Sequence, residues 1–215
     1  MMHTQSPSSN IGNNSNSNSN ANATMEQQVF SAALAMISPT TDSQTRSAAS
    51  AFLEQWTRTP EAWLIYESWL QSFYTDSNVG MQLLCLTLLQ SKIRRDVQRA
   101  SPPALQGIRH VILDLLATLA ASNKVLANPL CSCLAAMSAR MNHLKDVVDM
   151  CTLGSPTPTH FKLLGALPPE VEACADLTTP QVTAELWPHM EAVLDAVRRA
   201  LVMEETAIAA LECLR

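Results

Sequence analysis

Glycine occurs only five times in this 215-residue chain, and charged residues make up only 15% of it. β-Branched residues come in short runs, whereas Ala, Leu and Met are frequent. That balance favours an all-α protein over one built on sheets. The machinery of catalysis is also absent. There is no G-x-S-x-G, no phosphate loop and no H-E-x-x-H, and His3, His110, His143, His160 and His189 are scattered away from any nucleophile motif. No enzymatic site can be assembled even in outline, so an enzyme is not expected. Asp146 and Asp149 form an i, i+3 pair, which reads as a solvated helix face.

Other absences narrow the field further. Basic residues are in deficit, with a formal net charge of −5. A chain of that balance is not a general nucleic-acid binder, although a local basic patch is compatible with it. The longest apolar runs are broken by Lys92 or Asp114 and fall short of a membrane span, so no membrane insertion is expected. The polar N-terminus carries no signal-peptide core. Six cysteines are present, and Cys131 and Cys133 stand close together, but no second Cys/His pair has zinc-site spacing. Buried, reduced thiols are expected, with no metal and no cofactor.

What the chain does have is apolar helical pattern, with 47% hydrophobic residues. Residues 1–24, mostly Asn and Ser, hold too few apolar side chains to offset the entropy of ordering and read as a disordered tail. From Met25 to Arg215 the pattern is helical throughout. Helices are expected over Met25–Ile37, from a Thr41-Asp42 cap to about Trp56, and over Pro60–Tyr74. Another opens at Ser101-Pro102-Pro103, and one capped by Asn123 or Asn128 runs through Met141. His143–Cys151 and Thr159–Leu167 are short, the second stopped by Pro168-Pro169. A long helix from Thr179-Pro180 to Met203, kinked at Pro188, precedes a last one over Glu204–Arg215. The aromatic run Trp63, Tyr66, Trp69 and Phe73 has the spacing of a core face.

The stretch Val79–Arg99 organises the rest. Its first half is apolar on nearly every face, so it must be covered on several sides. Leu86, Leu89, Ile93 and Val97 then carry a narrowing apolar seam into a polar half, with Asp76 and Ser77 placed to cap the start. Lys92, Arg94, Arg95 and Arg99 are expected to reach solvent, so that reversing the charges of Arg94 and Arg95 should spare the fold.

These helices pair, and the first members begin near Met25, Pro60, Pro103, His143 and Pro180, about 35 to 43 residues apart, close to the ~40–47 residues of HEAT and armadillo repeats. The expected fold is therefore all-α, a right-handed solenoid of about five HEAT-like hairpins. The last hairpin is cut off, leaving Ile208 and Leu211 exposed at an open end. The chain reads as the N-terminal piece of a longer solenoid or as a truncated product.

The run AFLEQWTRTPEAWLIYESWLQ followed by LLCLTLLQSKIRRDV resembles the N-terminal region of importin-β-type nuclear transport receptors over about residues 25–100. Trp56, Trp63 and Leu86–Ile93 stand where that family has a bulky helix end, an aromatic helix and its "LknkI" helix. Asn128–Met141 and the segment Leu163-Leu164-Gly165-Ala166-Leu167-Pro168-Pro169-Glu170-Val171 are similar to the transportin-SR and importin-thirteen branch. Leu84-Cys85 departs from the family's small-aromatic helix start, and His143–Thr157 is shorter than the family's fourth hairpin. The resemblance implies a receptor shuttling between cytoplasm and nucleus, with Ran-GTP, cargo proteins and nucleoporins as partners. It implies that Lys92, Arg94, Arg95, Asp96 and Arg99 are the candidate Ran contacts. A general HEAT or armadillo scaffold without Ran binding is the alternative.

Overall fold

The computed structural model describes residues 15–75, 77–118, 123–153, 157–174 and 179–213. Among these residues the chain is helical, with no strand. The helices are α1 (Ser15–Ile37), α2 (Ser43–Thr57), α3 (Ala62–Gln71), α4 (Val79–Asp96), α5 (Pro102–Thr118) and α6 (Lys124–Met141). They continue with α7 (Leu144–Thr152), α8 (Pro158–Glu172), α9 (Thr179–Leu186), α10 (Met190–Leu201) and α11 (Glu204–Cys213). Single 3₁₀ turns lie at Ser72–Tyr74, Val97–Arg99 and Trp187–His189.

The chain divides into two compact units, Met1–Leu53 and Glu54–Arg215. In the first, α1 begins at Ser15, inside the tract expected to be a disordered tail; the rest of that tract, residues 1–14, lies outside the described residues. Val29 and Ala33 lie on the buried face of this helix. Asp42 caps α2, its Oδ1 accepting from the Thr45 N–H at 2.8 Å and its Oδ2 from the Thr45 hydroxyl at 2.6 Å.

In the second unit the helices pack in alternation. α3 packs against α5, and α7 against α10; α4 packs against α6, α6 against α8, and α8 against α11. Neighbours in sequence also meet, α3 with α4, α5 with α6, α7 with α8 and α10 with α11. Trp63, Tyr66, Trp69 and Phe73 are all buried, as their spacing indicates. Tyr66 and Trp69 stack with centroids 6.4 Å apart, and Trp56 closes on Tyr66 at 5.0 Å. The Tyr66 hydroxyl lies 3.2 Å from the hydroxyl of Thr57, so its polar end is satisfied.

α4 buries Met81, Cys85, Leu86, Leu89 and Ile93, whereas Val79, Leu83, Leu84 and Leu88 stay half-buried, so its apolar first half is covered less completely than its composition suggests. Its cap is Asn78, whose Oδ1 accepts from the Met81 N–H at 3.2 Å, in place of the expected Asp76 or Ser77. Asp76 lies outside the described residues. Asn123 caps α6, and Pro129 lies inside that helix, where it forfeits one backbone hydrogen bond. Asn142 ends α6 in the left-handed region at φ 58°, and the His143 N–H returns to the Ser138 carbonyl at 2.9 Å.

Proline acts differently at two places. α8 runs through Pro168-Pro169 to Glu172, whereas the sequence pattern stops it at Leu167. Leu163, Leu167 and Glu170 fall on one buried face, and burial on both sides of the prolines outweighs the backbone bonds they forfeit. Thr157 and His160 close a reciprocal capping box at its start. At Pro188 the expected kinked long helix is interrupted by a single 3₁₀ turn, Trp187–His189, which follows α9 directly and leads straight into α10.

The cysteines Cys85, Cys131, Cys133, Cys151 and Cys174 are buried and free, and Cys213 is partly buried. Burial pushes the Cys131 and Cys151 thiols up to about 12, which leaves them protonated and unreactive. The Cys133 thiol lies 3.5 Å from the Leu86 carbonyl, its hydrogen-bond partner. Ile208 and Leu211 are exposed, as the sequence indicates.

Leu86 is 1% exposed, so Leu86→Ala leaves a cavity on the buried face of α4; α6, of equal length, buries more residues, so α4 is not the most enclosed helix that its composition suggests. It is expected to cost about 2–5 kcal/mol, measured by denaturant unfolding. A cost near zero would mean that α4 carries little of the core.

Candidate functional site

The basic end of α4 splits into two networks. The inner one centres on Lys92, expected from sequence to reach solvent. Its side chain is 1% exposed. Nζ donates to the Thr57 carbonyl at 2.8 Å and the Thr59 carbonyl at 2.9 Å, and meets Asp96 Oδ2 at 3.4 Å. It also lies 4.9 Å from the centroid of the Trp63 ring. Thr57 is the last residue of α2, so Lys92 satisfies carbonyls that the helix end leaves open. A cation also suits the negative end of the helix dipole. Burial lowers the Lys92 pKa, and the Asp96 carboxylate opposes that fall. The apolar stem explains the difference from expectation: four methylenes pack inward while the ammonium finds oxygen at the far end.

Arg95 continues the inner network. Its Nη2 reaches the same Thr57 carbonyl at 3.0 Å, and its Nε reaches Asp96 Oδ2 at 3.1 Å. Asp96 is therefore shared between Lys92 and Arg95, and its side chain is only 12% exposed. It is positioned to hold its neighbours rather than to meet a partner.

The outer network centres on Glu170, near the end of α8, with a side chain 3% exposed. Arg94 of α4 grips it with two nitrogens, Nε to Oε2 at 3.1 Å and Nη2 to Oε1. Arg140, in the last turn of α6, donates from Nη1 to Oε2 at 3.2 Å and from Nε to the Arg94 carbonyl at 3.2 Å. Gln90 adds Nε2 to Oε1 at 3.0 Å. Burial alone would raise the Glu170 pKa; the Arg94 fork, Gln90 and the Arg140 charge together outweigh it and hold the carboxyl below its ordinary value. Because Arg94 partners a buried carboxylate, reversing its charge would set two carboxylates against each other. The expectation that an Arg94/Arg95 charge reversal spares the fold is thereby corrected.

Above these networks lies a cleft of about 300 Å³. Arg94, Arg95, Arg99 and Arg140 line it, with Val97, Gln98, Ala173 and Cys174 completing the wall. Neither Glu170 nor Asp96 opens onto it. Of the residues picked from sequence, Arg94, Arg95 and Arg99 meet here, Lys92 lies underneath, and Asp96 is tucked to the side. Arg140 and Glu170 were missed. Each carries only a local signal, a basic residue in a last helical turn and an acid after two prolines. Their convergence with Arg94 spans 46 and 76 residues of chain and leaves no periodicity to read.

Removing the Glu170 carboxylate leaves Arg140 buried without its counter-ion. Glu170→Ala is expected to cost about 2–3 kcal/mol, moderated because Arg94 stays partly in water. The pH dependence follows from the depressed pKa. The stabilisation is complete above the unfolded-state carboxyl pKa of about 4.3 and is lost as pH falls through the lower folded-state value. Unfolding midpoints measured from neutral to acid pH should therefore fall less steeply below that point in Glu170→Gln than in the wild type. Parallel curves would show that Glu170 contributes no acid lability.

No protein-family model matches this chain. It is similar to an uncharacterized protein of Schizosaccharomyces pombe (strain 972), with 26% identity over 173 residues. The match covers 78% of this chain but 17% of that protein's length.

Proposed function

We propose that this chain is a HEAT-type helical-repeat protein of the nuclear transport receptor kind, which docks the small GTPase Ran in its GTP form through the basic end of α4. The observation that carries this reading is the arginine-lined cleft at that end, an accessible group of cations on a chain of net charge −5. An acidic face on a partner would be steered toward it and held in register. The alternating packing of helices in the second unit supports a stack of hairpins, in which first helices lie on first helices and second on second. The resemblance of Trp56–Ile93 to importin-β-type receptors supports the choice of partner. Cargo proteins and nucleoporins would be the further partners, and cytoplasm and nucleus the places of work.

The contact set that suits this role is smaller than the one read from sequence. Arg95 and Arg99 present their guanidinium groups at the rim, and Arg94 contributes what Glu170 does not occupy. Lys92 and Asp96 act from beneath, by fixing the end of α4.

The test compares wild type with Arg95→Ala/Arg99→Glu, a pair that leaves the Glu170 network whole. Binding to GTP-loaded Ran is expected to weaken about tenfold, mainly through slower association and more so at low salt. GDP-loaded Ran should bind neither protein. Nucleotide-independent or absent binding by the folded wild type would favour the general scaffold.

A further inference from the structure

α10 is covered on one side only. Ala196, Val197 and Ala200 are buried, whereas Met190, Leu194 and Leu201 stay 42%, 43% and 44% exposed. At 3.6 residues per turn these three fall within about 40° of one another around the helix, on one stripe. Trp187, on the 3₁₀ turn that leads into α10, extends the stripe and is 73% exposed. The spacing is symmetric, with Trp187 seven residues before Leu194 and Leu201 seven after it. The charges beside the stripe are arranged about the same point. Glu191 lies one turn before Leu194 and Arg198 one turn after it, both exposed. Arg199 pairs with Asp195 at 3.3 Å, but neither Glu191 nor Arg198 has an ion pair among the described residues.

We propose that this stripe is an interface between two copies of the chain, with α10 packed antiparallel to the second copy's α10 about a two-fold axis at Leu194. A two-fold contact requires one surface to be complementary to itself, and this pattern is. Leu194 meets the second copy's Leu194, and Trp187 meets its Leu201. Glu191 comes opposite the second copy's Arg198 at both ends of the seam, as flanking charges do in paired helices. A parallel pair would set Glu191 against Glu191 and Arg198 against Arg198, so charge selects the antiparallel one. An anionic lipid surface is the poorer occupant. The acids Glu191 and Asp195 cancel the bases Arg198 and Arg199, so α10 offers such a surface no net attraction. The seam runs for about four helical turns. That is small for a permanent complex, so the dimer is expected to be a weak one, in the micromolar range. α10 does not line the arginine cleft, so the two surfaces are separate.

The assay is sedimentation equilibrium of the full chain over a concentration series, with helicity checked by circular dichroism. No GTPase enters it, so its outcome is separate from the nuclear-transport reading. The wild type is expected to pass from monomer to dimer as concentration rises. Leu194→Glu sets two carboxylates against each other on the axis and should abolish the dimer. Glu191→Arg and Arg198→Glu each bring like charges together twice in the symmetric pair, and each alone should weaken association about tenfold. The deciding arm mixes these two variants. A dimer formed from one chain of each restores opposite charges at both ends of the seam, so the mixture should associate about as tightly as the wild type. A loss of association through damage to the helix would not be recovered by mixing. A wild type that stays monomeric up to about 100 µM would overturn the proposal and leave the stripe to a different protein or to lipid. Dimers indifferent to Leu194→Glu, or a mixture no tighter than its components, would overturn it equally.

Discussion

The Glu170 carboxylate is the point on which this end of the molecule depends. It is buried near the tail of α8 and is met by Arg94 and Gln90 from α4 and by Arg140 from α6. A lone carboxylate at that depth would be costly, since desolvation of a charge is repaid only by good geometry and full hydrogen bonding. Here the geometry is close to complete: a forked guanidinium, a second guanidinium and an amide all donate to its two oxygens. Three helices are thereby fixed in one register. Apolar packing alone holds helices together but tolerates sliding more readily than a set of directional bonds does. The carboxylate also explains why α8 continues beyond Pro168-Pro169. Ending the helix at the prolines would carry Glu170 away from both arginines.

Lys92 does the corresponding work on the inner side of α4. Its ammonium closes the carbonyl end of α2 and rests beside Trp63, and Asp96 balances its charge. The alternation of inward and outward cations along one helix follows from its period. Lys92 shares the buried side with Leu89 and Ile93, whereas Arg94 and Arg95 project from the flanks. A long side chain on the buried side need not disrupt it, provided oxygen atoms wait at the end of its reach. Open carbonyls at a helix terminus supply such oxygen atoms without adding any residue for the purpose.

Helix positions were largely legible in the sequence, and the reason is local. Caps such as Asp42 and Asn123, the seam through Leu86, Leu89 and Ile93, and the aromatic face of α3 are all written within a few residues of where they act. Proline was legible as a perturbation but not in its outcome. Pro188 splits a helix whose neighbouring Trp187 and Met190 are exposed, whereas Pro168 and Pro169 are overridden because Leu163, Leu167 and Glu170 are buried. That difference lies in tertiary burial, which a one-dimensional pattern reports only in part. The candidate site was half legible for the same reason. A basic cluster at the end of an apolar helix is visible as text, but the depth of Lys92 and the arrival of Arg140 and Glu170 depend on which helices lie alongside.

Fold and site therefore share side chains, and this has a consequence for how the cleft can evolve or be altered. Arg94 and Arg140 form its floor because Glu170 demands them; they would be retained for stability even if nothing bound there. Arg95 is intermediate, tied to the Thr57 carbonyl but half open to solvent. Arg99, on the 3₁₀ turn that ends the helix, has no structural partner among the described residues and is free to change. On the proposed reading, a rigid cationic floor and a rim with fewer structural ties would divide the determinants of recognition between them. The floor would set the charge that a docked partner must neutralise, and the rim would set which partner satisfies the remaining donors. Substitutions at Arg99 would then act on the proposed docking at little cost to folding, whereas substitutions at Arg94 or Arg140 would touch stability as well.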